Sequence, residues 1–350
     1  MLISTYTVQN GFEVAVFDRE PSIDARSRDW TILLHWAMPT MAKLLPEDVL
    51  KNLPSAICNP HLNFNADVEC LPCYNGITGE ILFKSPLPGS RRISRQRLRG
   101  VLAEGLDITW GRTLHQISFL SGSDSESAVQ LTFDGGQTDV ADYVLGTDGA
   151  SSKVRELLVG AEAARVQLSG FMFATGITEY RDADKVEAVV KTHPVAAITM
   201  GMEAVAGCGG MFYLLNSGQR PHGSSPATND DDSSTPVLYV KDPEDKSTWT
   251  TFWIKIWRGS SANLPQKDAV DYIKESTKDL CEPFQSLIDW TPAGSTCYID
   301  EMKYWVPVPF DNRSGRVTLA GDAAHPMLIC KSHNTTTPRS GRLGLTSEAK

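Results

Sequence analysis

The sequence predicts a mixed α/β protein in which a region with a parallel sheet is joined to an α+β region with a mostly antiparallel sheet. Two observations carry this. Three short apolar runs each end in a tight turn bearing a carboxylate, at Asp18, Asp148 and Asp322, and helical patterns follow the first two. Between residues 165 and 310 the chain instead carries a series of strand-like runs. With 350 residues, 41% apolar and 21% charged, it can bury a sizeable core in one or two domains.

The elements follow in order. Residues 12–17 are a β-rich run ending in Asp18-Arg19-Glu20, the pattern of a buried strand. Residues 33–50 read as a helix, with Pro39 near its start and Pro46 near its end. Residues 59–88 hold extended runs punctuated by Asn75-Gly76, Gly79, Pro86 and Pro88, which suggests hairpins. Ser94 caps a second helix, with Leu98, Val101, Leu102 and Leu106 on one face. Residues 114–120 and 128–133 alternate as antiparallel strands joined by a Ser-rich turn. Residues 140–145 form a short strand entering Gly146, and a helix follows near Glu156. Strand-like runs fall at 171–178, 196–200, 211–215, 237–240 and 250–257, with one helix at about 267–280. Residues 216–236 are polar, include Asp230-Asp231-Asp232 and read as a mobile surface loop. A last strand, 317–320, enters Gly321-Asp322, and 331–350 read as a loose tail.

A net charge of −9 argues against general nucleic-acid binding, because the overall field repels phosphate. No apolar run approaches the roughly 20 residues of a spanning helix. Residues 1–17 lack the basic-then-apolar pattern of a secretory signal, so a cytoplasmic location is the default expectation. Seven cysteines, an odd number, do not suggest a disulfide scaffold. The one close pair is Cys70-Leu71-Pro72-Cys73. No second pair follows at zinc spacing, and Pro72 with Asn75-Gly76 reads as a turn, so two reduced thiols are expected and no metal site.

The chemistry gathers at the three carboxylate turns. A carboxylate at the C-terminal tip of a sheet strand can accept bonds from the vicinal hydroxyls of a ribose. In Gly146-Thr147-Asp148-Gly149-Ala150-Ser151-Ser152-Lys153-Val154-Arg155 the glycines allow close backbone approach and Asp148 can accept bonds. The helix start at Ser151-Ser152 offers free N–H groups to an anion, and Arg155 adds a positive charge one turn in. In Gly321-Asp322-Ala323-Ala324-His325 small residues admit a ligand, and Asp322 can bind a polyol. Each segment could equally be an ordinary strand–turn–helix corner. Five arginines lie within 91–99. The negative net charge and the lack of interleaved aromatics favour a local phosphate site or a solvated helix face over nucleic acid.

Together these segments resemble the single-component FAD-dependent aromatic hydroxylases of the p-hydroxybenzoate hydroxylase type. The family's second strand ends in a carboxylate followed by Arg, as does Asp18-Arg19. Its N/S-R-x-x-L-R helix start is matched by Ser94-Arg95-Gln96-Arg97-Leu98-Arg99. Its G-x-D-G-x-x-S-x-V-R segment is matched by residues 146–155, and its G-D-A-A-H-x-M segment by residues 321–327. Residues 29–39, Asp-Trp-Thr-Ile-Leu-Leu-His-Trp-Ala-Met-Pro, are similar to fungal members. The resemblance covers roughly residues 10–328.

The resemblance implies an incomplete Rossmann-like FAD-binding domain from residues 1–59, 93–164 and 311–330, and an α+β substrate domain from 60–92 and 165–310 that covers the flavin site. It implies that Asp18, beside Arg19, holds the adenosine ribose and that Arg95 touches the FAD phosphates or ribose. Asp148, with Gly149 and Arg155, falls near the pyrophosphate and the NAD(P)H path; Asp322, with Gly321 and Ala323, binds the ribityl chain. The implied activity is monooxygenation of a small organic substrate with NAD(P)H and O2, in secondary metabolism. No catalytic acid or base is assigned, since the cofactor carries the chemistry. His35 and His325 read as structural.

The resemblance breaks at both ends. The family's first strand and its G-x-G-x-x-G phosphate loop are missing, and Leu328-Ile329-Cys330-Lys331 stand where it continues with a G-x-G-x-N turn. That pattern suggests a chain truncated at both ends. A second expectation therefore stands beside the enzyme: an inactive relative that cannot retain FAD and only binds a ligand or partner.

Overall fold

The computed structural model describes residues 1–25, 30–120, 128–200, 211–215, 245–263, 269–295 and 297–328. The expected strand at 237–240, the loop at 216–236 and the tail at 331–350 lie outside them. The chain divides into two compact units, 1–142 with 170–301, and 143–169 with 302–350.

The first unit is built on a seven-stranded sheet. Its order is Cys297–Tyr304, Gln167–Glu179, Thr250–Arg258, Met211–Leu215, Ala196–Met200, Cys70–Asn75 and Ile81–Pro86. Pairing is antiparallel along Phe171↔Arg258 to Glu179↔Thr250, and parallel between Ala196–Met200 and Cys70–Asn75. Register sorts the side chains by period two. Ala174, Gly176 and Thr178 stand opposite Lys255, Trp253 and Thr251. This face is covered by the helices Ala183–Val190, Ala269–Glu275 and Phe284–Asp289, whose Val186, Val189, Ile273, Phe284, Leu287 and Ile288 share a buried core with Ala174 and Trp253. Gly176 makes that possible: a Cβ there would lie 2.3 Å from the Trp253 ring.

The same unit holds a two-stranded antiparallel sheet, Thr31–Leu34 with Arg91–Ser94. Its Ile93 packs on Met41, Val49, Leu98, Val101 and Leu102 from the helices Ala37–Leu44, Glu47–Asn52 and Arg95–Ala103. Ser94 caps the last of these, its Oγ accepting the Arg97 amide at 3.1 Å. A meander joins Leu114–Leu120, Ala128–Phe133 and Thr138–Ala141, and Val16–Asp18 runs parallel to Ile108–Trp110.

Several expectations need correction. Leu33 and Leu34 are strand, because they pair with Arg92 and Arg91; the helix of residues 33–50 is two shorter ones, split where Pro46 precedes Glu47–Asn52. The run at 12–17 contributes only Val16 and Phe17 to a strand, which Asp18 completes. The helices Ala183–Val190 and Phe284–Asp289 and the strand Cys297–Tyr304 were not legible locally; packing on the sheet makes them. Among the described residues no helix is long and apolar enough to cross a membrane.

The second unit contains the helix Lys153–Val159 and one parallel strand pair, Val144–Gly146 with Val317–Leu319.

Candidate functional site

The parallel pair in the second unit joins two motifs that lie far apart in sequence. Val144, Leu145 and Gly146 stand opposite Val317, Thr318 and Leu319, and the Ala320 amide extends the ladder to the Gly146 carbonyl at 2.9 Å. Both strands run the same way, so the Gly146–Asp148 and Gly321–Asp322 turns leave at one C-terminal edge. The glycines serve different ends. At Gly146 a Cβ would lie 2.8 Å from Leu319 Cδ2 and from Val154 Cβ, so the reason is close packing. Gly149 and Gly321 have open space around them but φ of 85° and 59°, conformations that disfavour a side chain.

Asp148 turns back on its own helix. Its Oδ2 accepts the amides of Lys153 at 2.6 Å and Val154 at 3.1 Å, and its Oδ1 accepts the Ser152 hydroxyl at 2.5 Å. Ser152 Oγ in turn accepts the Arg155 amide at 2.9 Å. The N–H groups that the sequence offers to an anion are therefore taken by local side chains, which reach them without the entropy cost of a ligand. This corrects the expectation of free amides at that helix start.

Arg155 is 1% exposed. Its Nε donates to the Ala164 carbonyl at 3.1 Å, Nη1 to those of Ala323 at 2.8 Å and Asp322 at 3.4 Å, and Nη2 to that of Ala150 at 2.5 Å. The Trp305 ring lies 4.8 Å from the guanidinium carbon, and its N–H donates to the Ala163 carbonyl at 2.7 Å. Burial lowers the Arg155 pKa, and the Asp148 carboxylate opposes that shift. The surface cation that the sequence suggests one turn into the helix is thus a buried fork aimed at carbonyls. Ala323 is buried behind its turn, whereas Asp322 and His325 are exposed.

In the first unit Asp18 ends its strand beside Trp110. Its Oδ2 accepts Arg99 Nη2 at 2.8 Å and its Oδ1 the Glu20 amide at 3.0 Å. The Arg99 guanidinium stands 5.1 Å from the Trp110 ring centre. Arg19 and Arg95 are exposed, and the Arg95 amide donates to the Trp30 carbonyl at 2.9 Å. The arginine run is dispersed: Arg91 pairs with Glu69 at 2.7 Å, Arg97 donates to the Ser55 carbonyl at 3.0 Å, and Arg99 holds Asp18. Sequence reasoning missed Arg99 as the partner of Asp18. The signal was its place one turn after Arg95 in the quoted motif.

Cys70 and Cys73 are free thiols. Cys70 Sγ lies 3.6 Å from His193 Nε2. Nδ1 of His193 accepts the amides of Val195 at 3.2 Å and Ala196 at 3.0 Å, which puts the ring proton on Nε2, facing the Asp67 carbonyl at 3.1 Å. Burial raises the thiol pKa and lowers that of the imidazole, opposite to what a nucleophilic pair needs.

A bound flavin nucleotide asks for acceptors facing its hydroxyls and for polar partners facing its heterocycle. In the second unit exposed Asp322 is an acceptor of this kind, and in the first unit half-buried Asp18 is another. In the first unit the Asn59 carboxamide is 1% exposed and neither its Oδ1 nor its Nδ2 is hydrogen-bonded; the buried Thr175 hydroxyl is also unpartnered. Each such group costs about 1–3 kcal/mol unless a ligand answers it. Within the second unit the Asp322 carboxylate fits the hydroxyls of such a group, while the Lys153–Arg155 amides are not open to its phosphates.

No family model matches the chain. It is 29% identical over 320 residues to "FAD-dependent monooxygenase phnB" of Penicillium herquei, covering 91% of this chain and 71% of that protein. It is 28% identical over 329 residues to "FAD-dependent monooxygenase cctM" of Talaromyces islandicus, covering 93% and 74%. Among solved structures, 2,6-dihydroxypyridine-3-hydroxylase from Arthrobacter nicotinovorans superposes with a TM-score of 0.60 at 17% identity, over 93% of this chain and 74% of that one. The chain is a relative of fungal FAD-dependent monooxygenases and shares the mixed α/β fold of a flavin-type hydroxylase.

Proposed function

We propose that this protein is an FAD-dependent monooxygenase that uses NAD(P)H and O2 to hydroxylate or epoxidise a small organic substrate, in secondary metabolism and in the cytoplasm. The reading is supported above all by the parallel pairing of Val144–Gly146 with Val317–Leu319, which brings two acidic glycine turns to one strand edge. The fungal relatives, named for FAD, support it independently. In this reading residues 1–59, 93–164 and 311–330 bind the cofactor, and 60–92 and 165–310 the substrate.

FAD, when bound, supplies the redox and oxygen chemistry; the chain binds it, orients it and keeps water out. Asp322 accepts from the ribityl hydroxyls, and the positive φ of Gly321 turns the chain so that this carboxylate faces outward. Asp18 accepts from the adenosine ribose, steadied by Arg99. Exposed Arg19 and Arg95 answer the phosphates. Asp148 serves from beneath by capping the Lys153 helix, while Gly149 shapes the turn above it. Ala323 keeps its turn small.

A second reading is a relative that binds a ligand or partner without retaining flavin. The engaged amides of Lys153, Val154 and Arg155 favour it, because a phosphate would find them occupied. One experiment separates the two: incubation of the purified chain with FAD, desalting and a visible absorbance spectrum. Near one flavin per chain, with NAD(P)H oxidation that consumes O2, supports the monooxygenase. A colourless, folded protein supports the second reading.

A further inference from the structure

We propose that Arg155 is the positioning residue of the strand-tip site. It holds the Gly321–Ala323 turn, and with it Asp322, in register with the Gly146–Ala150 turn, and it makes no ligand contact of its own. Only the identity of the ligand rests on the flavin reading; the clamp itself rests on geometry.

A guanidinium is a rigid fork with five N–H donors. Here all three nitrogens are spent on backbone carbonyls, and those carbonyls belong to three segments: Ala150, Ala164, and Asp322 with Ala323. Ala323 lies 168 residues along the chain from Arg155. Among the described residues Arg155 forms no ion pair, so its charge is answered by carbonyl oxygens. A buried cation of this kind fixes main-chain positions, because each carbonyl that drifts leaves a buried N–H unpaired. The Trp305 ring, tied to Ala163, closes over the guanidinium.

The consequence falls on Asp322. Its turn is a single three-residue helical turn, closed by the Ala324 and His325 amides on the Gly321 carbonyl at 3.0 Å each. Arg155 adds a hold from below, through the carbonyls of Asp322 and Ala323, while the Asp322 carboxylate remains exposed. One residue is thus gripped by its backbone and presents its side chain outward. Lysine cannot replace the fork, since one ammonium cannot span three segments.

The test compares wild type, Arg155→Lys, Arg155→Met and Met302→Ala. Met302→Ala is a control that removes buried apolar volume in the same unit and leaves the fork intact. Two quantities are read: FAD dissociation constant, at a temperature where every variant is folded by circular dichroism, and amide hydrogen exchange at residues 322–325. Both Arg155 variants are expected to weaken FAD at least tenfold, because each leaves carbonyls of the Asp322 turn without their donors. Exchange in the turn should rise at least tenfold. Met302→Ala should stay within twofold on both. Wild-type affinity in Arg155→Lys, or equal losses in Met302→Ala, overturns the proposal. If wild type itself binds no FAD, the cofactor reading fails, and unchanged exchange in Arg155→Lys still sinks the clamp. If neither Arg155 variant folds, Trp305→Phe, which puts a smaller ring over the guanidinium and deletes the N–H bond to Ala163, is expected to raise exchange at residues 322–325 two- to fivefold; no rise refutes the clamp.

Discussion

Gly176→Ala should be among the most damaging single-methyl additions in the protein. The added Cβ would lie 2.3 Å from two atoms of the Trp253 ring and 2.7 Å from its nitrogen. Ordinary contact begins near 3.4 Å, so the indole must retreat by about 1 Å. It has no room, being fully buried among Ala174, Val186, Ile273 and Phe284. Its N–H donates to Thr291 Oγ1 at 3.0 Å, a bond that such a shift breaks. Overpacking costs about 1–3 kcal/mol, and an orphaned buried donor about 1–3 kcal/mol more. The expected loss is therefore about 3–5 kcal/mol in urea unfolding of the sheet-bearing unit, followed by Trp fluorescence. The double variant with Trp253→Ala isolates the contact. Trp253→Ala alone costs about 3–5 kcal/mol through its cavity, but in the double variant the methyl enters the space vacated. The double variant should be at least 1–2 kcal/mol more stable than additivity predicts. A neutral Gly176→Ala, or strictly additive losses, would show that the ring does not occupy the hollow above Gly176.

Three further outcomes follow from other sites. Lys255 is 6% exposed, its ammonium donates to Ser276 Oγ at 2.6 Å, and burial pulls its pKa from the ordinary 10.5 down to about 8. Below pH 8 the burial penalty is full, and above 10.5 it is gone, so stability should rise by on the order of 3 kcal/mol across that window; Lys255→Met should flatten the rise in pH-dependent urea melts. Burial holds the His193 imidazole below its ordinary 6.5, so stability should be fully present above that pH and fall as pH drops through the lower folded value; His193→Gln should remove the slope. Asp148→Ala removes the acceptor of two helix amides and should cost about 1 kcal/mol, with faster exchange confined to the start of the Lys153 helix, and exchange unchanged there would refute the cap.

Much of the candidate site was legible because its grammar is local. Glycines at 146, 149 and 321 and carboxylates at 148 and 322 mark strand-to-turn transitions, and Ser94 and Ser152 announce helix starts through short-range acceptor geometry. The alternation of 114–120 and 128–133 likewise reported a sheet with two unlike faces. Side-chain direction was not legible. Arg155 and Asp148 looked like groups open to a phosphate, but one is buried against carbonyls and the other closes its own helix.

The division has one physical cause. Backbone conformation depends on neighbours within a few residues, so the sequence by itself determined the strands that end in acidic glycine turns, the helix caps and the mixed α/β class. The partner of a side chain depends on which distant segments the sheets bring together. Arg99 reaches Asp18 across 81 residues, and Arg155 reaches Ala323 across 168. Leu33 and Leu34 became strand only because Arg91–Ser94 offered a ladder. Gly176 mattered only because Trp253 arrived over it. Those decisions belong to tertiary structure, where burial and hydrogen-bond completion outweigh local propensity.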